Sequence, residues 1–283
     1  MGERTGTVRA SGCAAHARAS QPCARSRNQN NHPCAEASIA ASAALVGCAG
    51  WSVPRSERDQ LAEGNSALQR YASRFPAVEI NSSFYRPHRP ATYERWAASV
   101  PPAFRFSVKV PKAITHGLRL EATAELLDAF IAQSSSLSSK LGCYLVQLPP
   151  SLQFDPVIAR GFFNEFRIRA ATPIACEPRH PSWFDPAADD LLGALGVTRV
   201  AADPARTEAA ALPGGQLATV YYRLHGSPKM YYSAYTEQYI ESLAARIGAD
   251  RAQERSVWCI FDNTTLGAAA RNGLELLARI GAV

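Results

Sequence analysis

The sequence predicts an α/β protein: a (β/α)8 TIM-like barrel, single domain, behind a disordered N-terminal tail. Three observations carry that expectation. Eight short apolar runs each end in polar residues: LVGCAG from Leu45, AVEINSS from Ala77, FRFSVKV from Phe104, CYLVQLPP from Cys143, IACEPRH from Ile174, VTRVAAD from Val197, TVYYRLHG from Thr219 and VWCIFDN from Val257. Stretches of helical spacing separate them, and alternating strand and helix implies a parallel sheet. No Gly-rich dinucleotide or phosphate-loop fingerprint follows any run, so eight units favour closure over an open doubly wound sheet.

The connectors carry their own signals. Leu68, Tyr71, Ala72 and Phe75 fall at helical spacing after the first run, and Leu126, Leu127, Phe130 and Leu137 do so after the third. Leu266, Ala269, Ala270, Leu274 and Leu277 make the face of a last helix. Asp155-Pro156, Asp185-Pro186 and Asp203-Pro204 each read as an N-cap followed by Pro at the first helical position, so these aspartates are expected to cap rather than catalyse.

Residues 1–44 are rich in Ala, Ser, Arg, Asn and Cys and show no hydrophobic period, so they are expected to be disordered; residues 45–283 form the domain. The tail's Arg- and Ser-rich, acid-poor character also fits a transit peptide, but a start assigned too far upstream is the preferred reading. No apolar stretch reaches the roughly 18 to 20 residues of a membrane span, so no membrane partner is expected. The net charge of +6 divides into five Arg against Glu3 and Glu36 in the tail, and 25 Lys+Arg against 22 Asp+Glu in the rest. The domain is only mildly basic, a weak argument for nucleic acid. Seven cysteines contain no C-x-x-C pair, disulfide framework or zinc cassette. Cys48, Cys143, Cys176 and Cys259 sit in apolar runs as small buried hydrophobes, which fits a reducing cytoplasm.

Side chains alternate faces along a strand, so each run sorts into two phases. Phe104, Phe106, Val108 and Val110 oppose Arg105, Ser107 and Lys109; Val78 and Ile80 oppose Glu79 and Asn81. Ile174 and Cys176 oppose Glu177 and Arg179; Tyr222 and Leu224 oppose Tyr221, Arg223 and His225. With the apolar phase against the helices, Glu79, Lys109, Gln147, Glu177, Arg179, Asp203, Arg223 and His225 face one common mouth. Unpaired buried charge is costly, so these groups must pair with one another, with water or with a ligand.

Several words together resemble one family: GCAGW at Gly47, VEINSSFYRP at Val78, FRFSVKVPKAITH at Phe104, KLGCYLVQLPPSLQFD at Lys140, CEPRHPSWF at Cys176, YRLHGSP at Tyr222 and WCIFDNTTLGAA at Trp258. The chain from Leu45 to Leu277 is similar to the YecE-like family (domain of unknown function 72). The resemblance implies a TIM-like barrel of prokaryotic origin with no settled biochemical activity. The stretch SVPRSERDQLAEG after Trp51 lacks a second tryptophan and an F-Y-P word that many relatives carry, and Gly273 stands where relatives often have Ala.

Glu79 and Glu177 form the natural acid/base pair, because carboxylates beside apolar walls and other charges can have shifted pKa values. The alternative is a structural ion network with Lys109, Arg179 and Arg223. Those three cations suit a phosphate or carboxylate, with Arg supplying a bidentate fork. The loops after the last two runs, His225-Gly226-Ser227 and Asn263-Thr264-Thr265, suit the phosphate site of such barrels, the second by opening a helix. Asn81 and Asn263 join the binding set. His180 and His225 are expected to assist in acid/base work. No cofactor is expected, although His116, His180 and His225 with Glu79, Glu177 and Asp262 offer donors for a divalent metal. The aromatics Trp51, Phe84, Tyr85, Trp183, Phe184, Tyr231, Tyr232 and Tyr235 crowd the same end, with Trp51 and Tyr85 offered as stacking surfaces for a sugar or base. The leading expectation is an enzyme of hydrolase or lyase type acting on a small, phosphate-bearing anion. A nucleic-acid-binding module and a non-catalytic anion sensor are the rivals, since fold alone does not choose among them.

Overall fold

The computed structural model describes residues 44–281 together with residues 2–3. The tail expected to be disordered, 1–44, lies outside the described residues except for Gly2, Glu3 and Ala44.

Every apolar run contains a strand. In chain order these are β1 (Leu45–Cys48), β2 (Ala77–Ile80), β3 (Arg105–Lys109), β4 (Leu141–Gln147), β5 (Ile174–Glu177), β6 (Val197–Arg199), β7 (Ala201–Asp203), β9 (Thr219–Leu224) and β10 (Ser256–Phe261), with a short β8 (Gly214–Gly215) between. The sixth run divides into β6 and β7. The α-helices of the described residues are α1 (Ala67–Ala72), α2 (Pro90–Ala98), α3 (Ala124–Ser134), α4 (Pro156–Arg169), α5 (Pro186–Ala194), α6 (Glu237–Ala252) and α7 (Ala268–Ile280).

The strands form two sheets. One has the order β1-β10-β9-β7 and the other β2-β3-β4-β5-β6-β8; all pairings are parallel except β6 with β8. An isolated parallel bridge joins Ala49 to Glu79 between the two sheets, and the Gly50 amide donates to Glu79 O at 2.9 Å. Gly47 permits this approach, since a Cβ there would stand 2.2 Å from Ala77 O.

Helix ends follow local chemistry. Asp155 Oδ1 accepts from the amides of Val157 and Ile158 at 2.8 and 3.1 Å, and Pro156 follows at the first helical position of α4. Thr236 caps α6 by accepting from Tyr239 N at 3.3 Å. Asp185 precedes α5 without a side-chain capping bond. Asp203 does not open a helix: its carboxylate accepts from Tyr235 Oη at 2.8 Å. Leu266 lies ahead of α7 and is 74% exposed, so it is not part of that helix's buried face. Gly273 in α7 abuts Phe75, whose ring edge would lie 2.7 Å from an added Cβ.

Two apolar clusters hold the domain together. The larger joins the outward strand phase (Val46, Val78, Phe106, Val108, Val146, Cys176, Leu224, Phe261) to the helices. The smaller draws on the opposite phase of strands from both sheets: Ala77, Cys143, Leu145, Ala175, Val200, Tyr221, Trp258 and Ile260. Burying each large apolar side chain contributes about 1.5–3 kcal/mol, which makes these clusters the main source of stability. No helix among the described residues is long and apolar enough to cross a membrane.

Candidate functional site

The polar ends of the inward phase converge on Arg223, at the end of β9. Its guanidinium holds Glu79 in a fork, Nε to Oε2 at 3.0 Å and Nη2 to Oε1 at 2.8 Å. Nη1 donates to Glu177 Oε2 at 3.0 Å, and Nη2 lies 3.0 Å from Asp262 Oδ2. Arg179 Nη2 pairs with Glu177 Oε1 at 2.6 Å. Tyr221 Oη lies 3.0 Å from both Glu79 Oε2 and Ser107 Oγ, and so supports the cluster from below. Glu79, Glu177, Arg223 and His225 are fully buried.

His225 has a partner for either protonation state. Nδ1 lies 3.0 Å from Asp262 Oδ2, while Nε2 lies 2.8 Å from Glu177 Oε1 and 2.9 Å from Arg179 Nη2. With a proton on Nδ1 only, Nε2 accepts from Arg179; with both nitrogens protonated, Nε2 donates to Glu177.

The electrostatics separate this network from the group above it. Burial works to raise the Glu177 carboxyl, but Arg179, Arg223 and His225 more than reverse it and hold it well below the usual carboxylate range. Asp262 behaves alike: burial is outweighed by Arg223 and His225, and its pKa falls. Arg223 loses solvation by burial, yet Asp262, Glu79 and Glu177 push its pKa well above the ordinary value. Glu177 is thus a fixed anion, and the expected displacement toward proton exchange near neutral pH does not occur there.

Lys109 is the exception. It is 4% exposed, and its ammonium makes no hydrogen bond to a described residue, resting instead 4.2 Å from the centroid of Phe84. Burial and the nearby Arg223 charge lower its pKa to about 8, against the pull of Glu79, Glu177 and Asp262. The turn that carries Phe84 is fastened by Ser83 Oγ, 2.6 Å from Lys109 O and 2.8 Å from Ile80 O. Arg179, 8% exposed, has an Nε without a partner, and Asn81 has a buried Oδ1 without one. Orphaned polar atoms are rare in folded interiors and mark places where a ligand or water completes the bonding.

Other expected site residues have different work. His180 Nδ1 accepts from the Ser182 amide at 3.2 Å and caps the turn Pro181–Phe184. Asn263 is fully buried and braces a loop through Nδ2, donating to Ser233 O at 2.9 Å and Asn272 Oδ1 at 3.1 Å. Its unpartnered atom is a carbonyl oxygen, the wrong polarity for an anion. Trp51, Asn81 and Tyr85 line a separate shallow cleft of about 530 Å³; Trp51 packs edge-on against Trp96 at 5.0 Å, and Tyr85 is 75% exposed. Asp203, expected on the inward phase, lies on the outward one with Ala201 and opposite Leu224, where it accepts from Tyr235. His116 stands edge-on to Phe84 at 5.1 Å. Among the described residues no three His, Cys, Asp or Glu side chains are arranged to hold a metal ion, since arginines already occupy the carboxylates. Sequence reasoning underrated Asp262, Ser107 and Tyr221. Alternation offered the last two, which share their phase with Lys109 and Arg223.

Comparison with known proteins gives the chain its kinship. The UPF0759 protein YunF of Bacillus subtilis (strain 168) is 26% identical over 263 residues, covering 82% of this chain and 93% of that one. The UPF0759 protein YecE of Escherichia coli (strain K12) is 29% identical over 170 residues, covering 58% of this chain and 61% of that one. The crystal structure of a DUF72 family protein from Enterococcus faecalis V583 superposes with a TM-score of 0.71 at 24% identity, over 84% of this chain and 96% of that one. That of a DUF72 family protein from Thermotoga maritima MSB8 gives a TM-score of 0.68 at 23% identity, over 84% and 99%. A family model, "Protein of unknown function DUF72", matches residues 45–283. The domain that carries the Arg223 cluster therefore belongs to the DUF72 family.

Proposed function

We propose that the chain is an acid/base enzyme, of hydrolase or lyase type, that binds a small phosphate-bearing anion beside Lys109 and Arg179. The observation that carries this reading is Lys109, a nearly buried ammonium with no hydrogen-bond partner among the described residues and a pKa near 8. An unpaired cation in that setting attracts an anion, and a proton held near neutral pH can be delivered to it. Arg179 Nε supplies a second unsatisfied donor. Glu79, Glu177, Asp262 and Arg223 then act as positioning residues that hold Arg179 and fix the local field.

The fold reading that accompanies this function is that the two sheets are arcs of one (β/α)8-type wall. Three features support it: the Ala49–Glu79 bridge, the run Val197–Asp203 shared by β5 through β6 and by β9 through β7, and an inner apolar cluster drawn from both sheets. In such a wall the strands' C-terminal ends are where chemistry is done.

Turnover of a panel of phosphate esters by the purified protein tests the proposal. A Lys109→Met variant that keeps its fold is expected to lose at least about a hundredfold in rate, in line with removal of a general acid. Equal rates in the two proteins would remove Lys109 from the mechanism. A non-catalytic anion sensor is the second reading, favoured by the sealing of Glu79 and Glu177 away from solvent. It is distinguished by saturable stabilisation with phosphate and no turnover of any ester. Nucleic acid ranks lower, because the three carboxylates Glu79, Glu177 and Asp262 outnumber the two arginines, Arg179 and Arg223, that they pair with.

A further inference from the structure

A groove of about 640 Å³ runs between α2 and α3, bounded by the turns after β2 and β3. That volume is typical of small-molecule sites, roughly 300–1,000 Å³. Its walls are largely apolar and aromatic, with Phe84, Tyr93, Phe130, Pro111 and Ala129 among them. Arg86, Lys112 and His116 supply its basic groups, and among the described residues no acidic side chain lines it. An apolar trough with basic groups and no acid complements a ligand that is apolar along its length and negative at one end.

Phe84 ties this groove to Lys109. Its ring lines the groove, and the Lys109 ammonium stands 4.2 Å from the ring centroid. His116, edge-on to the same ring at 5.1 Å, feels the fields of Lys109 and Arg179 as well as that of Lys112 in the groove. Aromatic walls favour a flat occupant, because offset and edge-on ring contacts add to simple burial.

We propose that the groove receives the apolar body of the substrate, which makes that substrate an aromatic phosphate monoester with its phosphate at Lys109. This rests on the anion site proposed above and names the substrate's class. Specificity then resides in α2, α3 and the Phe84 turn, while the charged end is common to any phosphate.

Calorimetric titration with inorganic phosphate, 2-naphthyl phosphate and 2-naphthol tests it. The wild-type chain is expected to bind 2-naphthyl phosphate at least tenfold more tightly than inorganic phosphate, with 2-naphthol weakest. Ala129→Trp fills the groove from the exposed side of α3 and is expected to erase that advantage while leaving affinity for inorganic phosphate unchanged. Ala113→Trp, from the opposite wall, is expected to do the same and covers a failure of the first variant to fold. Inorganic phosphate binding with no naphthyl advantage would overturn the groove assignment and leave the anion site standing. A naphthyl advantage that survives both tryptophans would also overturn it. Binding of neither phosphate compound would sink the anion site and this inference together, and 2-naphthol binding as tightly as its phosphate would refute the placement of the head at Lys109.

Discussion

The inner strand faces change character over a step of two residues. Ala77 gives way to Glu79, Ala175 to Glu177, Tyr221 to Arg223 and Ile260 to Asp262. The first member of each pair belongs to the small apolar cluster, and the second to the charged one. Both regions exclude water, but they do so by different means. Apart from the Tyr221 hydroxyl, which reaches Glu79 and Ser107, the apolar plug is satisfied by contact alone. The charged tier is satisfied only by geometry, each carboxylate oxygen needing a donor at bonding distance, and beside it that geometry runs out at Lys109 and Arg179 Nε. Closed bonding marks the part that supports; open bonding marks the part that meets another molecule.

The largest effect expected on this contrast comes from Arg223→Leu. It strands Glu79, Glu177 and Asp262 without their central cation, and removing one partner of a buried ionic set costs about 3–5 kcal/mol. Domains are stable by only about 5–15 kcal/mol, so the variant should unfold at much lower urea concentration or fail to accumulate. A change below about 1 kcal/mol would mean that the arginine does not organise the tier. Ile260→Ala, in the plug, should cost about 2–5 kcal/mol by urea titration and leave phosphate binding intact once the fold is saturated. A loss of phosphate affinity there would erase the division between the regions.

Lys109 sharpens the comparison through pH. Its folded pKa of about 8 lies below its ordinary value of 10.5. Between those values the unfolded chain binds more protons, so stability rises with pH through that window, and the penalty is fully present below pH 8. The slope should vanish in Lys109→Met, whereas phosphate affinity of the wild-type chain should fall as pH rises through 8 and the ammonium is lost. Glu177 and Asp262 give a slope of the same sign at the acid end, but as a stabilising contribution rather than a penalty. Their folded pKa values are depressed, so their contribution is present above roughly pH 4 and is lost as pH falls toward the folded values. Thermal melts across pH 2–10.5 read both limbs, and an alkaline slope identical in the lysine variant would assign it to another group. The smallest effect belongs to His180→Ala, which removes a turn cap and should cost about 1 kcal/mol in a melt without changing ester turnover.

Much of this was legible beforehand because period-two alternation is a rigid rule. It placed Glu79, Lys109, Glu177, Arg223 and His225 on one phase, and the strands gather them. It was misassigned at Asp203, which shares its phase with Ala201 and pairs with outward-facing Leu224, so its side chain meets Tyr235. It was equally silent on Asn263 and His180, whose partners Ser233, Asn272 and Ser182 are set by loop paths. Nor does composition distinguish a sealed carboxylate from an available one: Glu177 reads as an acid/base candidate until its two arginines are seen around it. The groove beside Phe84 had no signature at all, since it arises from the spacing of two helices.

The isolated contact between Ala49 and Glu79 has a mechanical corollary. One residue stitches the seam with its main chain and clasps Arg223 with its side chain, so an event at the ionic tier tugs directly on the seam. The Gly50 amide, which donates to Glu79 O, becomes a natural strain gauge. Its hydrogen-exchange rate should register arrivals at the mouth that no other reporter in the first strand would notice.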